Sequence, residues 1–296
     1  MAVVQANGIE LNYDEFGNTG DPAVVLIMGF SAQSTAWPVS FCERIAARGY
    51  RVIRFDNRDI GLSTKFSGTR ADGNKYLRLA RFQAGLASPA PYTLVDMAAD
   101  TVGLLDALDL DDAHLVGASM GGMISQIVTA TTPERVRTLN ILFSSTLQPL
   151  LPVPRPDVIA MILGGPGAGA SEQQRIAFSA KLWRKLNGRV YGLTPEEAMS
   201  QAKSDYARDY TPSGVIRQFY AATGTGSLLP YSTTIDRPTL VVHGTDDPLL
   251  PLGHGKAVAK AIPQSRLHVI KGYGHNIPES ISHELADTFT VNLSRG

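Results

Sequence analysis

The chain has 296 residues, 44% hydrophobic and 18% charged, with 27 Lys plus Arg against 27 Asp plus Glu. This composition fits a well-buried globular core, and the charge balance leaves no overall field to draw nucleic acid or an anionic membrane. The one cysteine, Cys42, excludes an intrachain disulfide framework and a Cys-rich metal site; its amphipathic surroundings read as a buried, inert thiol.

Residues 1–8 show no basic, long apolar leader, so the expectation is a cytoplasmic protein without a signal peptide. The longest apolar run, near 23–28, is too short to span a bilayer. Residues 9–16 alternate in strand fashion, and 18–22 form a turn. Residues 23–27 are a continuous β-branched run, the pattern of a strand buried on both faces. A helix follows over 37–48 and stops at Gly49, and a strand over 51–55 runs into the loop 56–63. Residues 64–91 are irregular, with a short helix over 74–83 that spaces Lys75, Arg78 and Arg81 along one face. Such a face reads first as solvated. The stretch holds five Lys/Arg against one acidic residue, Asp72, which points more weakly to a positive pocket rim for anionic or amphipathic substrates.

Residues 92–110 place Leu94, Met97, Thr101, Leu104, Leu105 and Leu108 on one helical stripe, and 136–143 read as a strand. From 147 to 234 no strand pattern appears. Helices are expected over 171–186, 194–208 and 213–222, with a Gly-rich break at 164–169. Strands over 238–243 and 267–270 and helices over 255–261 and 279–293 complete the chain. Strands alternating with helices imply an α/β fold with a mostly parallel central sheet and helices on both faces. The core domain is expected at 1–146 and 235–296. A helical cap at 147–234, inserted after the sixth strand, would cover the strand ends where open α/β sheets bind ligands.

Chemistry concentrates at Gly117-Ala118-Ser119-Met120-Gly121, where an apolar run meets a helical pattern. Gly-X-Ser-X-Gly at a strand-to-helix turn is a nucleophile elbow, with glycines wherever flanking backbone approaches the serine. A serine hydroxyl needs a base held in one tautomer. Of six histidines, His114 starts the elbow strand and points away, and His243 and His268 read as satisfied sheet residues. His283 lies inside the last helix, and His254 sits too near the acid loop. His275, in the loop Gly272-Tyr273-Gly274-His275 past the last strand, remains as the base. The loop 144–147 contains no carboxylate, so the acid falls in the loop after 238–243. There Asp247, just before Pro248, is preferred, and Asp246 stays open. The oxyanion donors are then the backbone N–H groups of Met120 and of Phe30 in the loop after residues 23–27.

On these residues the chain resembles the α/β-hydrolases with a helical cap over essentially its whole length. The order Ser119, Asp247, His275 is the family order. The resemblance implies that 56–63 is a structural loop of the Asp-X-Arg-Gly-X-Gly-X-Ser type. Two departures, Met28-Gly29 in place of His-Gly and Asp59 in place of a glycine, look similar to the branch containing aclacinomycin methylesterase, which cleaves methyl esters from polyketides. An aspartate accepts a left-handed backbone position more readily than most residues.

The expected activity is cofactor-free and metal-free hydrolysis of a small-molecule carboxylic ester through an acyl-enzyme. A carbon–carbon bond hydrolase and a cofactor-free perhydrolase on the same residues are the rivals, and a non-enzymatic ligand-binding protein is the rival from another class. No nucleic-acid partner and no integral membrane segment are expected. The sequence leaves a homodimer open.

Overall fold

The computed structural model describes residues 1–69, 73–84, 86, 88–167 and 169–296. Arg70 and Asp72 of the basic stretch, and Ala168 of the Gly-rich break, lie outside them. Eight strands form one sheet: β1 (Ala2–Ala6), β2 (Ile9–Phe16), β3 (Ala23–Ile27), β4 (Arg51–Phe55), β5 (Ala113–Ala118), β6 (Val136–Leu142), β7 (Thr239–Gly244) and β8 (Arg266–Ile270). Their spatial order is β1-β2-β4-β3-β5-β6-β7-β8, antiparallel at β1/β2 and β2/β4 and parallel from β4 onward.

Strand β1 was not expected. Its signal was the Asn7-Gly8 pair, whose φ values of 50° and 76° make the left-handed two-residue turn that joins β1 to β2. All residues of β3, β4, β5 and β7 are buried, as a parallel strand covered on both faces requires. Strand β8 ends the sheet with four of its five residues exposed. His268, expected as a satisfied sheet residue, therefore faces solvent on this outer strand.

Helices α3 (Leu94–Ala107), α4 (Met120–Thr131) and α10 (Gly253–Ala261) cover one face and bury Leu94, Leu104, Ile124 and Val258. Helices α1 (Val39–Ala46) and α11 (Glu279–Leu293) cover the other with Phe41, Ile45, Leu285 and Phe289. Each such side chain contributes roughly 1.5–3 kcal/mol on leaving water. Cys42 is fully buried within α1, and burial pushes its thiol up to about 12.

Between β6 and β7 lie α5 (Pro156–Gly164), α6 (Glu172–Lys185), α7 (Pro195–Arg208), α8 (Pro212–Thr225) and the single turn α9 (Leu229–Ser232). Capping boxes at Ser171 and Thr194 start α6 and α7, each worth about 1 kcal/mol. The segment carrying α9 packs against α4 and the loop after β6. Leu228 is fully buried, its N–H donates to the Thr146 carbonyl, and Ser232 Oγ donates to Gln126 Oε1. Among the described residues no helix is long and apolar enough to cross a membrane.

Sheet order reverses between β3 and β5, with β4 to one side and β6 to the other. A cleft opens at such a switch point, beyond the carboxyl ends of the strands.

Candidate active site

Ser119 follows β5 at φ 54°, ψ −118°, a backbone that L-residues rarely adopt. Hydrogen bonds with its neighbours hold it there. Its N–H donates to the Leu142 carbonyl at the end of β6, and its own carbonyl accepts from Gly122 N–H and Ser144 Oγ. A Cβ on Gly121 would collide with the Ile27 carbonyl of β3, and one on Gly117 with the Gly121 carbonyl and Ser125 Oγ. The glycines of the elbow are thus required by backbone approach from the neighbouring strand and from the following helix.

His275 Nε2 lies 2.9 Å from Ser119 Oγ, and His275 Nδ1 lies 2.6 Å from Asp247 Oδ2. Burial alone would raise the Asp247 carboxyl. The neighbouring His275 and His243 imidazoles outweigh it and hold the group well below the usual carboxylate range. An ionised carboxylate only accepts, so Nδ1 carries the proton and Nε2 presents a lone pair to the serine hydroxyl. The other Asp247 oxygen accepts from the backbone N–H groups of Leu249 (2.9 Å) and Leu250 (2.8 Å), which fixes the carboxylate from its own loop. The neighbouring Asp246 turns the other way and pairs with Arg189 at 2.6 Å, on a side chain 83% exposed. Helix α6 helps to place His275, because the Leu186 carbonyl at its end accepts the His275 N–H at 2.7 Å.

The remaining histidines are accounted for by their contacts. His254 Nε2 donates to the Pro152 carbonyl and its Nδ1 accepts from Ser145 Oγ, both at 2.8 Å; burial lowers its pKa. His114 pairs with Thr138 Oγ1 at 2.9 Å, and burial brings it down to about 4. His283 is exposed on α11. His243 departs from expectation. Its Nε2 donates to the Leu250 carbonyl at 2.7 Å and sits 3.4 Å from Asp247 Oδ2, while its buried Nδ1 has no partner. Its ring is therefore only half satisfied and lies against the same carboxylate as His275. The four-residue spacing to Asp247 was the signal available.

The loop after β3 crosses the elbow so closely that a Cβ on Gly29 would sit 3.0 Å from the Ser119 Cβ. The Phe30 and Met120 N–H groups have no acceptor among the described residues. A cavity of about 980 Å³ opens from this point, floored by Met28, Phe30, Ser119, Phe143 and His275. Helices α5–α8 roof it with residues such as Leu163, Phe178, Trp183, Tyr206 and Phe219. Its size lies at the upper end for small-molecule sites.

The expected solvated basic face near this cavity is corrected at Arg78, which is only 6% exposed. Its guanidinium donates to Thr223 Oγ1 and to the carbonyls of Ser88, Pro89 and Tyr220, and it lies over the Tyr220 ring. Lys75 (in α2, Lys75–Gln83) donates to the Leu163 carbonyl, and Arg81 to Ser88 Oγ. These cations tie α2 to its surroundings.

Asp59 adopts φ 72°, the left-handed position anticipated for it. Its carboxylate also receives both Arg217 nitrogens at 2.7 and 2.8 Å and the Tyr92 hydroxyl at 2.7 Å. Burial would raise this carboxyl, and these donors hold it below its ordinary value.

The rhodomycin D methylesterase DauP of Streptomyces sp. (strain C5) is 25% identical to this chain over 304 aligned residues, covering 96% of this chain and 95% of that protein. The 2-hydroxy-6-oxononadienedioate/2-hydroxy-6-oxononatrienedioate hydrolase of Paraburkholderia xenovorans (strain LB400) is 27% identical over 90% of this chain and 84% of its own. Among solved structures, the enol-lactonase from Burkholderia xenovorans LB400 superposes with a TM-score of 0.76 at 19% identity, over 99% of this chain and all of that one, a likeness of fold. The model of the alpha/beta hydrolase fold family matches residues 22–280, and with an eight-stranded, mostly parallel sheet between two helical layers this chain belongs to that family.

Proposed function

We propose that the protein hydrolyses carboxylic esters, with Ser119 as nucleophile, His275 as general base and acid, Asp247 as the residue that orients His275, and the N–H groups of Phe30 and Met120 as oxyanion donors. The observation that carries this reading is the hydrogen-bonded line from Ser119 Oγ through His275 to Asp247, opening into a large apolar cavity. As the serine oxygen attacks the ester carbonyl, His275 Nε2 takes its proton. The imidazolium is stabilised by Asp247, and the negative charge collects on an oxygen between two unpartnered N–H groups. The proton then passes to the leaving alkoxide, and water cleaves the acyl-enzyme by the same steps. Similarity to a methylesterase over nearly the full chain supports ester rather than other acyl substrates. In this reading helices α5–α8 act as the lid, and the cavity volume favours a bulky, apolar acyl or alcohol group.

A panel of methyl and p-nitrophenyl esters of rising size tests this, with Ser119→Ala as control and fluorophosphonate labelling read by mass spectrometry. Ester turnover and labelling at Ser119, both lost in Ser119→Ala, are expected. Two further arms, a vinylogous diketone and peroxide with acetate, address the carbon–carbon and perhydrolase rivals. A dienol cleaved faster than every ester would displace the ester reading.

A further inference from the structure

Cap helix α8 reaches the loop that follows β3. Gln218 on α8 is fully buried; its Oε1 accepts the Ser31 N–H at 3.0 Å and its Nε2 donates to the Arg58 carbonyl at 2.9 Å. Only this amide orientation satisfies both partners. Ser31 itself adopts φ 59°, so its peptide does not hold this position by intrinsic preference. On the other side of the same loop, buried Asn57 donates to the Met28 carbonyl at 2.9 Å. The Gly29–Phe30 peptide, which carries the Phe30 N–H, is thus suspended between two fixed points, one from the core and one from the cap. Further along, Gln33 donates to the Asp205 and Asp209 carbonyls at the end of α7, so the cap holds the loop twice.

We infer that Gln218 is a positioning residue for the oxyanion site, aiming the Phe30 N–H by clamping Ser31. The inference rests on the ester-hydrolase reading given above. A donor has value in the transition state only when it points to where charge develops, so a small rotation of this peptide lowers turnover more than it weakens substrate binding. Helix α8 consequently serves two ends, roofing the cavity and setting the oxyanion geometry beneath it.

Gln218→Met keeps the length of the side chain and removes both hydrogen bonds. With a p-nitrophenyl ester, kcat is expected to fall about 10- to 100-fold while KM stays within about twofold, somewhat less than the loss of a whole oxyanion donor. Phenylboronic acid, which forms a tetrahedral adduct on a nucleophilic serine, should bind more weakly by a similar factor. A general loosening of the fold would not produce that parallel between kcat and boronate affinity. If Gln218→Met does not fold, as judged by circular dichroism, Gln218→Asn withdraws the amide by one methylene and is read the same way. A folded variant with kcat and boronate affinity within twofold of the parent overturns the clamp alone. A parent chain that neither cleaves esters nor takes the fluorophosphonate label overturns both the clamp and the hydrolase reading.

Discussion

At the scale of single residues, strain and close approach account for most of the site. Ser119 sits in a rare backbone well that costs on the order of 1–3 kcal/mol, and it stays there because β6 and Ser144 bind its peptide groups on both sides. Gly121→Ala must force the elbow away from β3, since the new methyl would occupy the Ile27 carbonyl. The expected outcome is a protein with a clearly lower melting temperature and no fluorophosphonate labelling. Adjacent aspartates should behave oppositely. On the proposed roles, Asp247→Asn would remove the charge that stabilises the imidazolium and disturb its tautomer, and kcat should drop by about 10⁴. Asp246→Asn weakens the pairing with a solvent-exposed arginine and keeps an oxygen for the Thr245 hydroxyl, so kcat should stay within about twofold. Similar losses in both variants would break the assignment of roles.

At the scale of elements, α8 is bolted to the core by Arg217 and Asp59, whose side chains are 5% and 0% exposed. Removing one partner of a buried, hydrogen-bonded pair leaves the other charge unpaired, a cost of about 3–5 kcal/mol. Arg217→Met should therefore shift the urea midpoint strongly downward, and Asp59→Asn less, because an asparagine still accepts one of the hydrogen bonds. Helix α2 lines the cavity with Lys75 and Tyr76, while its Arg78 is buried against α8 and the 88–89 backbone. With that cation committed inward, matched anionic and neutral esters should show the same dependence of kcat/KM on salt from 20 to 500 mM, roughly the range over which the screening length shrinks from above 20 Å to below 5 Å. A selective loss on the anionic ester would restore the positive rim.

Over the whole molecule, the parallel strands deliver their loops to one edge: 28–31 from β3, 56–63 from β4, Ser119 from β5, Phe143 from β6, Asp247 from β7 and His275 from β8. The far side of the sheet carries a different consequence. His114 is buried neutral, its pKa lowered from 6.5 to about 4, so the unfolded chain binds its proton first as pH falls. Stability from this residue is complete above about pH 6.5 and is lost as pH drops toward 4. At about 1.4 kcal/mol per unit the full loss is about 3 kcal/mol. Asp205, raised to about 6 by burial, acts with the opposite sign, since the folded state holds its proton more tightly below that pH. The two separate in a mutant comparison: His114→Gln should flatten the fall in unfolding free energy between pH 6.5 and 4 relative to the parent, measured by urea titration. An unchanged slope would show that His114 does not drive it.

The repeating strand–helix order, the elbow and the loop positions of the candidate base and acid are legible in the chain before it folds. These features are local: β-branched runs, glycines where backbone approaches, and a serine between a strand and a helix. The sequence did not show which of two consecutive aspartates reaches His275, because that depends on how Leu249 and Leu250 present their N–H groups to one carboxylate and Arg189 presents its guanidinium to the other. Nor did it reveal Gln218 over the loop after β3, Arg217 on Asp59, or His243 beside Asp247. The first two pairings join residues more than 150 positions apart. The third turns on the direction of one ring in a packed interior. A hydrogen bond between distant segments leaves no periodic trace in the chain, so only the folded arrangement decides it.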